Sequence, residues 1–347
     1  MPRIKSLDLA RGFVVLMFAP VHTMLLYSRP DVWNTLPGRL LAFISEWHGA
    51  QIFMLLMGIS FALKKDQSIE SAFLKAFGLI GYAYALNILK FDLPHMFGWL
   101  PQSFLSELQI DKGWHGYVQM FLLGDILQFA GIALMVLGII SRFRETEKIA
   151  LWMSIGICFL SPLFWDATNN NAIINYTLQI IGGEPPRVFF PLLPWLVYPL
   201  LGLVFGRQLQ RKEQWIGFDS FWIIGLGGMT LSAVVKYWLH ISGFSSFYRT
   251  TALDTLIHVG FVLIALSVWH WISFHVKPNY LFKIFSYASK HITQIYLIQW
   301  PLIFWLLPIV GYQRSGFAGT IFLINLTSFL TLATSLLIEL VKKKKTL

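Results

Sequence analysis

Apolar residues run through this 347-residue chain in long blocks, with polar residues gathered between them. Blocks of about 18 to 25 apolar residues are the length an α-helix needs to cross a bilayer. They predict spans near 9–28, 45–63, 71–90, 117–140, 148–165, 188–206, 220–240, 252–274, 284–308 and 317–341, about ten in all. Pro162, Pro191, Pro194 and Pro199 interrupt the fifth and sixth, which a membrane helix tolerates where neighbours satisfy the freed carbonyls. The pattern therefore predicts an all-α polytopic membrane helix bundle, with residues 1–347 as one transmembrane domain. No internal repeat is evident, which weighs against a transporter built from paired halves.

Composition agrees: 56% of residues are hydrophobic, 13% are charged, and the mean hydropathy is +0.62. The 30 Phe and 14 Trp suit lipid-facing surfaces and interfacial belts. The net charge of +10 raises a nucleic-acid partner, which the placement of the charges excludes. Most of the 27 Lys and Arg gather at alternate loops: Arg3, Lys5 and Arg11; Lys64, Lys65 and Lys75; Arg142, Arg144 and Lys148; Arg207, Arg211 and Lys212; Lys277, Lys283 and Lys290; and Lys342 to Lys345. The opposite ends carry fewer, among them Lys90 and Lys236. Cytoplasmic loops are enriched in Lys and Arg, so both termini are expected in the cytoplasm and the number of spans is expected to be even. The outer segments 91–116 and 166–187 are longer than connections require, and the inner loops are short. Chemistry is then expected in the bundle or at its outer face.

A single cysteine, Cys158, excludes an intrachain disulfide and a multi-thiolate metal site. The nine histidines show no HxxxH or HExxH spacing, and P-loop and GxSxG patterns are absent. No metal is expected. The first apolar run holds Arg11 and His22 without a small-residue cleavage site, and reads as a retained span rather than a signal peptide.

That first span carries the sharpest chemistry. Eleven residues separate Arg11 from His22, about 20° past three helical turns, so both share one face roughly 16 Å apart along the axis. Ionisable groups in a membrane helix normally face the bundle interior or a watery cavity. Arg11 can bind phosphate at the inner mouth or act only as a snorkelling anchor paired with Asp8. His22 can move a proton or be a buried neutral histidine bonded to a carbonyl. His48, beside Glu46 and near Gln51, is either part of a helix entry or a second acid/base group facing His22. Asp125, expected inside the fourth span and level with His22, either orients the imidazole or pairs with a buried base such as Lys236. Gln128 reads as helix-packing glue. Asp254 and His258, four residues apart, can touch, and His291, Gln294, Tyr296 and Gln299 make the ninth span unusually polar.

Ser6 to Gly12, with His22 eleven residues after Arg11, resembles the opening helix of transmembrane acyltransferases, most closely bacterial proteins like heparan-alpha-glucosaminide N-acetyltransferase. Phe53 to Gly58, Ile126 to Gly131, Pro191 to Trp195 with Gly202, Gly206 and Arg207, and Ser289 to Ile298 resemble later motifs of that family in the same order. Gln299 stands where the family's late helix often has His, and Trp47 beside His48 where it has a polar His. The resemblance implies an enzyme that moves an acyl group, acetyl above all, from cytosolic acyl-CoA to a hydroxyl or amine of an extracytoplasmic sugar or glycan. Its partners would be acetyl-CoA as donor, the glycan acceptor and membrane lipid, with a homodimer as the candidate assembly. The setting would be the inner (plasma) membrane of a bacterium. Arg11, Lys64, Lys65 and Lys75 would hold the CoA phosphates, and His22 would act as base or first take the acyl group, assisted by Asp125 or His48. The rival reading is a transporter or flippase of a polar lipid or glycan.

Overall fold

The computed structural model describes residues 4–45, 49–64, 67–210 and 217–345. The described residues are helical, with no strand and two isolated backbone bridges, Ser28 to Ser315 and Gly124 to Val188. Seven helices among them are long and apolar enough to cross a membrane: Lys5–Tyr27, Ile69–Met96, Thr146–Phe164, Phe218–Trp238, Ala252–His275, Ile292–Val310 and Phe317–Lys344. Ala50–Ala62, Ile126–Ile140 and Ala172–Gly182 are shorter apolar helices.

The chain forms two compact units. One comprises residues 1–7, 50–83 and 123–276. Its centre is the pair Ala50–Ala62 and Val197–Gln208, in which Met54, Leu55, Leu56, Ile59, Leu200 and Leu203 are buried. The two helices touch backbone to backbone. A Cβ on Gly58 would overlap the Pro199 carbonyl, and one on Gly202 the Leu55 carbonyl. Both glycines belong to the motifs that carried the family resemblance, so those motifs specify close packing rather than chemistry. Arg207, at the end of the second, donates from Nη2 to Gln67 Oε1 at 2.6 Å.

The span expected over 117–140 is not one helix. Trp114–Phe121 ends, and Ile126–Ile140 begins after a break. Gly124 leaves the helical path because its backbone pairs elsewhere: its N–H donates to the Arg187 carbonyl at 3.0 Å, and its carbonyl accepts from Phe189 N–H at 2.9 Å. The segment 166–187, longer than a connection requires, contains the helix Ala172–Gly182, capped by Asn171 Oδ1 accepting from the Ile173 and Ile174 N–H groups.

The other unit comprises residues 8–49, 84–122 and 277–347. It holds the first helix from Asp8 onward, the late helix Ile292–Trp305 and the last helix Phe317–Lys345. The first helix is 56% buried over its most apolar window, against 17% for Thr146–Phe164. The helix carrying Arg11 and His22 is thus an inner one, as an ionisable membrane helix has to be.

Candidate active site

The first helix is seated against the segment that follows Lys277. Ser289 Oγ donates to Asp8 Oδ1 at 3.0 Å, both residues buried. Asp8, weighed above as a partner for Arg11, thus also anchors the helix to the Tyr280–Lys290 segment. One turn on, a Cβ on Gly12 would overlap the Phe285 carbonyl, and Phe13 meets the Phe285 ring edge-on at 6.1 Å. The Arg-Gly step is therefore a charged residue beside a backbone crossing. Arg11 is half-buried.

Three turns further, the half-buried His22 ring lies against the late helix. It stacks on Trp300 with centroids 4.0 Å apart and planes 24° from parallel. Tyr296 meets it edge-on at 6.4 Å, and Phe18 stacks at 6.2 Å. Thr23, the next residue, bonds Thr327 through their hydroxyls at 2.7 Å. An imidazole held face-on to an indole has a fixed plane and aims its ring nitrogens along that plane. Such a ring can take up or release a proton in one direction.

The same indole has a cation near it. The Ile69–Asn87 helix widens into a π-helical turn, Ile88–Asp92, a feature frequent at functional sites. The turn places Lys90, 3% exposed, over two rings, with Nζ 4.7 Å from the Phe91 centroid and 4.7 Å from the Trp300 centroid. Trp305 Nε1 donates to the Leu89 carbonyl in the same turn at 2.9 Å. A buried ammonium gains from two aromatic faces. Lys90 was counted above only among the charges at one set of span ends; it is buried, and the signal missed was its place between Leu89 and Phe91 in an apolar run. Gln299 beside Trp300 is fully buried, and neither its Oε1 nor its Nε2 meets a hydrogen-bond partner among the described residues.

Asp125, in the other unit, lies at a helix end and not inside a continuous helix. It is the N-cap of Ile126–Ile140: its Oδ1 accepts from the Ile126 N–H at 2.7 Å. Gln128 completes a capping box, its Oε1 accepting from the Asp125 N–H at 3.0 Å and its Nε2 donating to the Leu123 carbonyl at 3.0 Å. Gln128 is thus a cap, not packing glue between helices. Lys236, considered as Asp125's partner, instead donates to Asp254 Oδ1 at 2.6 Å. Asp254 and His258 do not pair with each other in the bonds seen: His258 Nδ1 faces the Tyr198 hydroxyl at 3.5 Å. Lys64 and Lys75 are exposed, the latter donating to Ser71 Oγ at 2.8 Å. His48 and Lys65 lie outside the described residues. Among the described residues no group of three His, Cys, Asp or Glu is placed to hold a metal ion.

An all-helical chain with membrane-length helices and an imidazole clasped inside its first one defines a class of membrane-embedded proteins with a candidate acid/base group. The model of the heparan-alpha-glucosaminide N-acetyltransferase catalytic family matches residues 3–242. The chain belongs to this family of membrane acetyltransferase-like proteins, in agreement with the motif resemblance. No curated protein matches it. The match includes Arg11, His22 and Lys90 and ends before the late helix that carries Gln299 and Trp300.

Proposed function

We propose that the protein is a membrane-bound acetyltransferase that takes an acetyl group from cytosolic acetyl-CoA and passes it to a hydroxyl or amine of an extracytoplasmic glycan. His22 is the acting group, either as general base on the acceptor or as the first site of acylation. In the first case the acceptor oxygen or nitrogen attacks the thioester carbonyl, its proton goes to His22, and the CoA thiolate leaves. Arg11 binds donor phosphate, with Lys64, Lys65 and Lys75 as further basic residues for the nucleotide. Asp125 and His48 are assigned to assist on their sequence positions alone. The bundle has about ten spans in one domain, both termini face the cytoplasm, and the membrane is the inner membrane of a bacterium. The distribution of basic residues supports that orientation.

The observation that carries the reading is the His22 ring held at 4.0 Å on Trp300 within the helix that opens the family match. The experiment is transfer from labelled acetyl-CoA by the purified protein, with and without a glycan acceptor, in wild type and His22→Ala. Label release in wild type and its loss in a folded His22→Ala protein is the expected result. Thermal stabilisation by CoA but not by acetate accompanies it, and a protein that ignores millimolar CoA belongs with transporters.

A further inference from the structure

A buried amide that bonds to nothing is a costly residue to keep. More than about nine in ten buried polar groups find a partner, and an apolar side chain of the same shape is the cheaper occupant. Gln299 is 0% exposed, with both polar atoms unpartnered among the described residues. It is not isolated. Tyr296, Gln299, Trp300 and Ile303 fall within about 100° of the late helix, and all four are buried. Tyr296 and Trp300 are the residues that flank His22. Trp300 adds a second buried donor without a partner, Nε1. The unpaired groups thus lie on the helix that meets the imidazole, one on the ring stacked on His22 and one on the residue before it.

The chemistry of Gln299 narrows what satisfies it. Its side chain offers one carbonyl acceptor and an NH₂ donor. A phosphate or carboxylate takes the donor and leaves the carbonyl unpaired; an ammonium does the reverse. A secondary amide, with one N–H and one carbonyl, meets both. The pantetheine arm of CoA carries two secondary amides, and the nearer one is separated from the sulfur by only two methylenes. We propose that Gln299, aided by Trp300 Nε1, binds a pantetheine amide of the donor and so fixes the thioester beside His22. This inference rests on the acetyl-CoA reading. The other source of the same amide chemistry is an N-acetylated sugar on the acceptor side.

The test uses the full chain in detergent, with Gln299→Met as a volume-conserving variant and Trp300→Phe as a second that keeps the aromatic face. Thermal unfolding is measured without ligand. Calorimetric binding is measured for CoA, for pantetheine, for adenosine 3′,5′-bisphosphate, which lacks the arm, and for N-acetylglucosamine. Gln299→Met is expected to melt about 2 °C higher than wild type, since an unpaired buried amide is gone. Its CoA and pantetheine binding should weaken roughly tenfold, with bisphosphate binding unchanged; Trp300→Phe should weaken CoA about threefold. Unchanged CoA binding by folded Gln299→Met overturns the inference. So does a lower melting temperature with equal losses for CoA and bisphosphate, the mark of a structural glutamine, and so does a loss confined to N-acetylglucosamine. If wild type binds neither CoA nor bisphosphate, the acetyl-CoA reading itself has failed.

Discussion

Two buried lysines, one in each unit, show opposite uses of the same side chain. Lys236, 8% exposed, ends in a closed network. Its Nζ donates to Asp254 Oδ1 and to the Gly243 carbonyl, while Asp254 Oδ2 accepts from the Ser245 N–H, the Ser245 hydroxyl and the Thr251 hydroxyl. The network ties the loop after Phe218–Trp238 to the start of Ala252–His275. Lys90, 3% exposed, lies over the Phe91 and Trp300 rings, and Trp300 Nε1 and, two residues along the chain, Asp92 Oδ1 are buried polar atoms without a hydrogen-bond partner among the described residues. A satisfied polar network specifies structure. Polar groups that the fold buries and leaves unbonded cost stability, and at such positions function is the usual reason for keeping them. Under the proposed function, the closed Lys236 network belongs to the architecture and the surroundings of Lys90 to the site, in a chain whose hydropathy treats both lysines alike.

The comparison is broken most severely at His22. His22→Ala should lower acetyl transfer by about 10²–10⁴-fold, the usual worth of a general acid/base, with the melting temperature near that of wild type. Arg11→Ala should instead weaken CoA binding first, by about 10- to 100-fold for a lost charge-assisted contact. Transfer by a folded His22→Ala protein at near-normal turnover would move the chemistry to His48.

At the Lys236 network the effect should be on stability alone. Lys236→Met strands the Asp254 carboxylate, 3% exposed at its side chain, and breaking such a pair costs about 3–5 kcal/mol. Lys236→Met combined with Asp254→Leu should recover much of that loss, because an apolar pair replaces a buried ion pair at little net cost. Chemical or thermal unfolding of the three variants measures it. A double variant no more stable than the single would mean the loop needs the Ser245 and Thr251 bonds more than it needs the charge.

What could be read from the sequence follows the range of the interactions involved. Membrane class, the 3.6-residue placement of Arg11 and His22 and the family motifs are local patterns, and each was legible. The break at residues 122–125 was not, because it depends on Gly124 pairing with Arg187 and Phe189, more than sixty residues away. Asp254 was matched to His258 by helical spacing, yet its partner is Lys236, one helix earlier. Gln299 was noticed as a departure from the family pattern, but only the structure makes it a fully buried amide next in the chain to the Trp300 that stacks on His22. Lys90 was read only as a charge at a span end because a π-helical turn leaves no mark in an apolar run. Of the proposed site, the imidazole and guanidinium were legible and the surface around the imidazole was not.

The smallest expected effect sharpens the comparison at the residue that stands between its two halves. Asp125 is a helix cap by its bonds and an acid/base assistant by proposal. Asparagine caps a helix about as well as aspartate, and alanine does not. Asp125→Ala should therefore lose about 1 kcal/mol of stability, while Asp125→Asn should stay within a few tenths of wild type. Activity divides the roles. If the carboxylate charge serves the imidazole, Asp125→Asn loses turnover at unchanged stability, and by less than His22→Ala does, since the base itself remains. If Asp125 only caps, Asp125→Asn transfers acetyl groups at the wild-type rate and Asp125→Ala follows its stability. Melting temperature and transfer rate, measured on the same two preparations, place Asp125 with Lys236 or with His22.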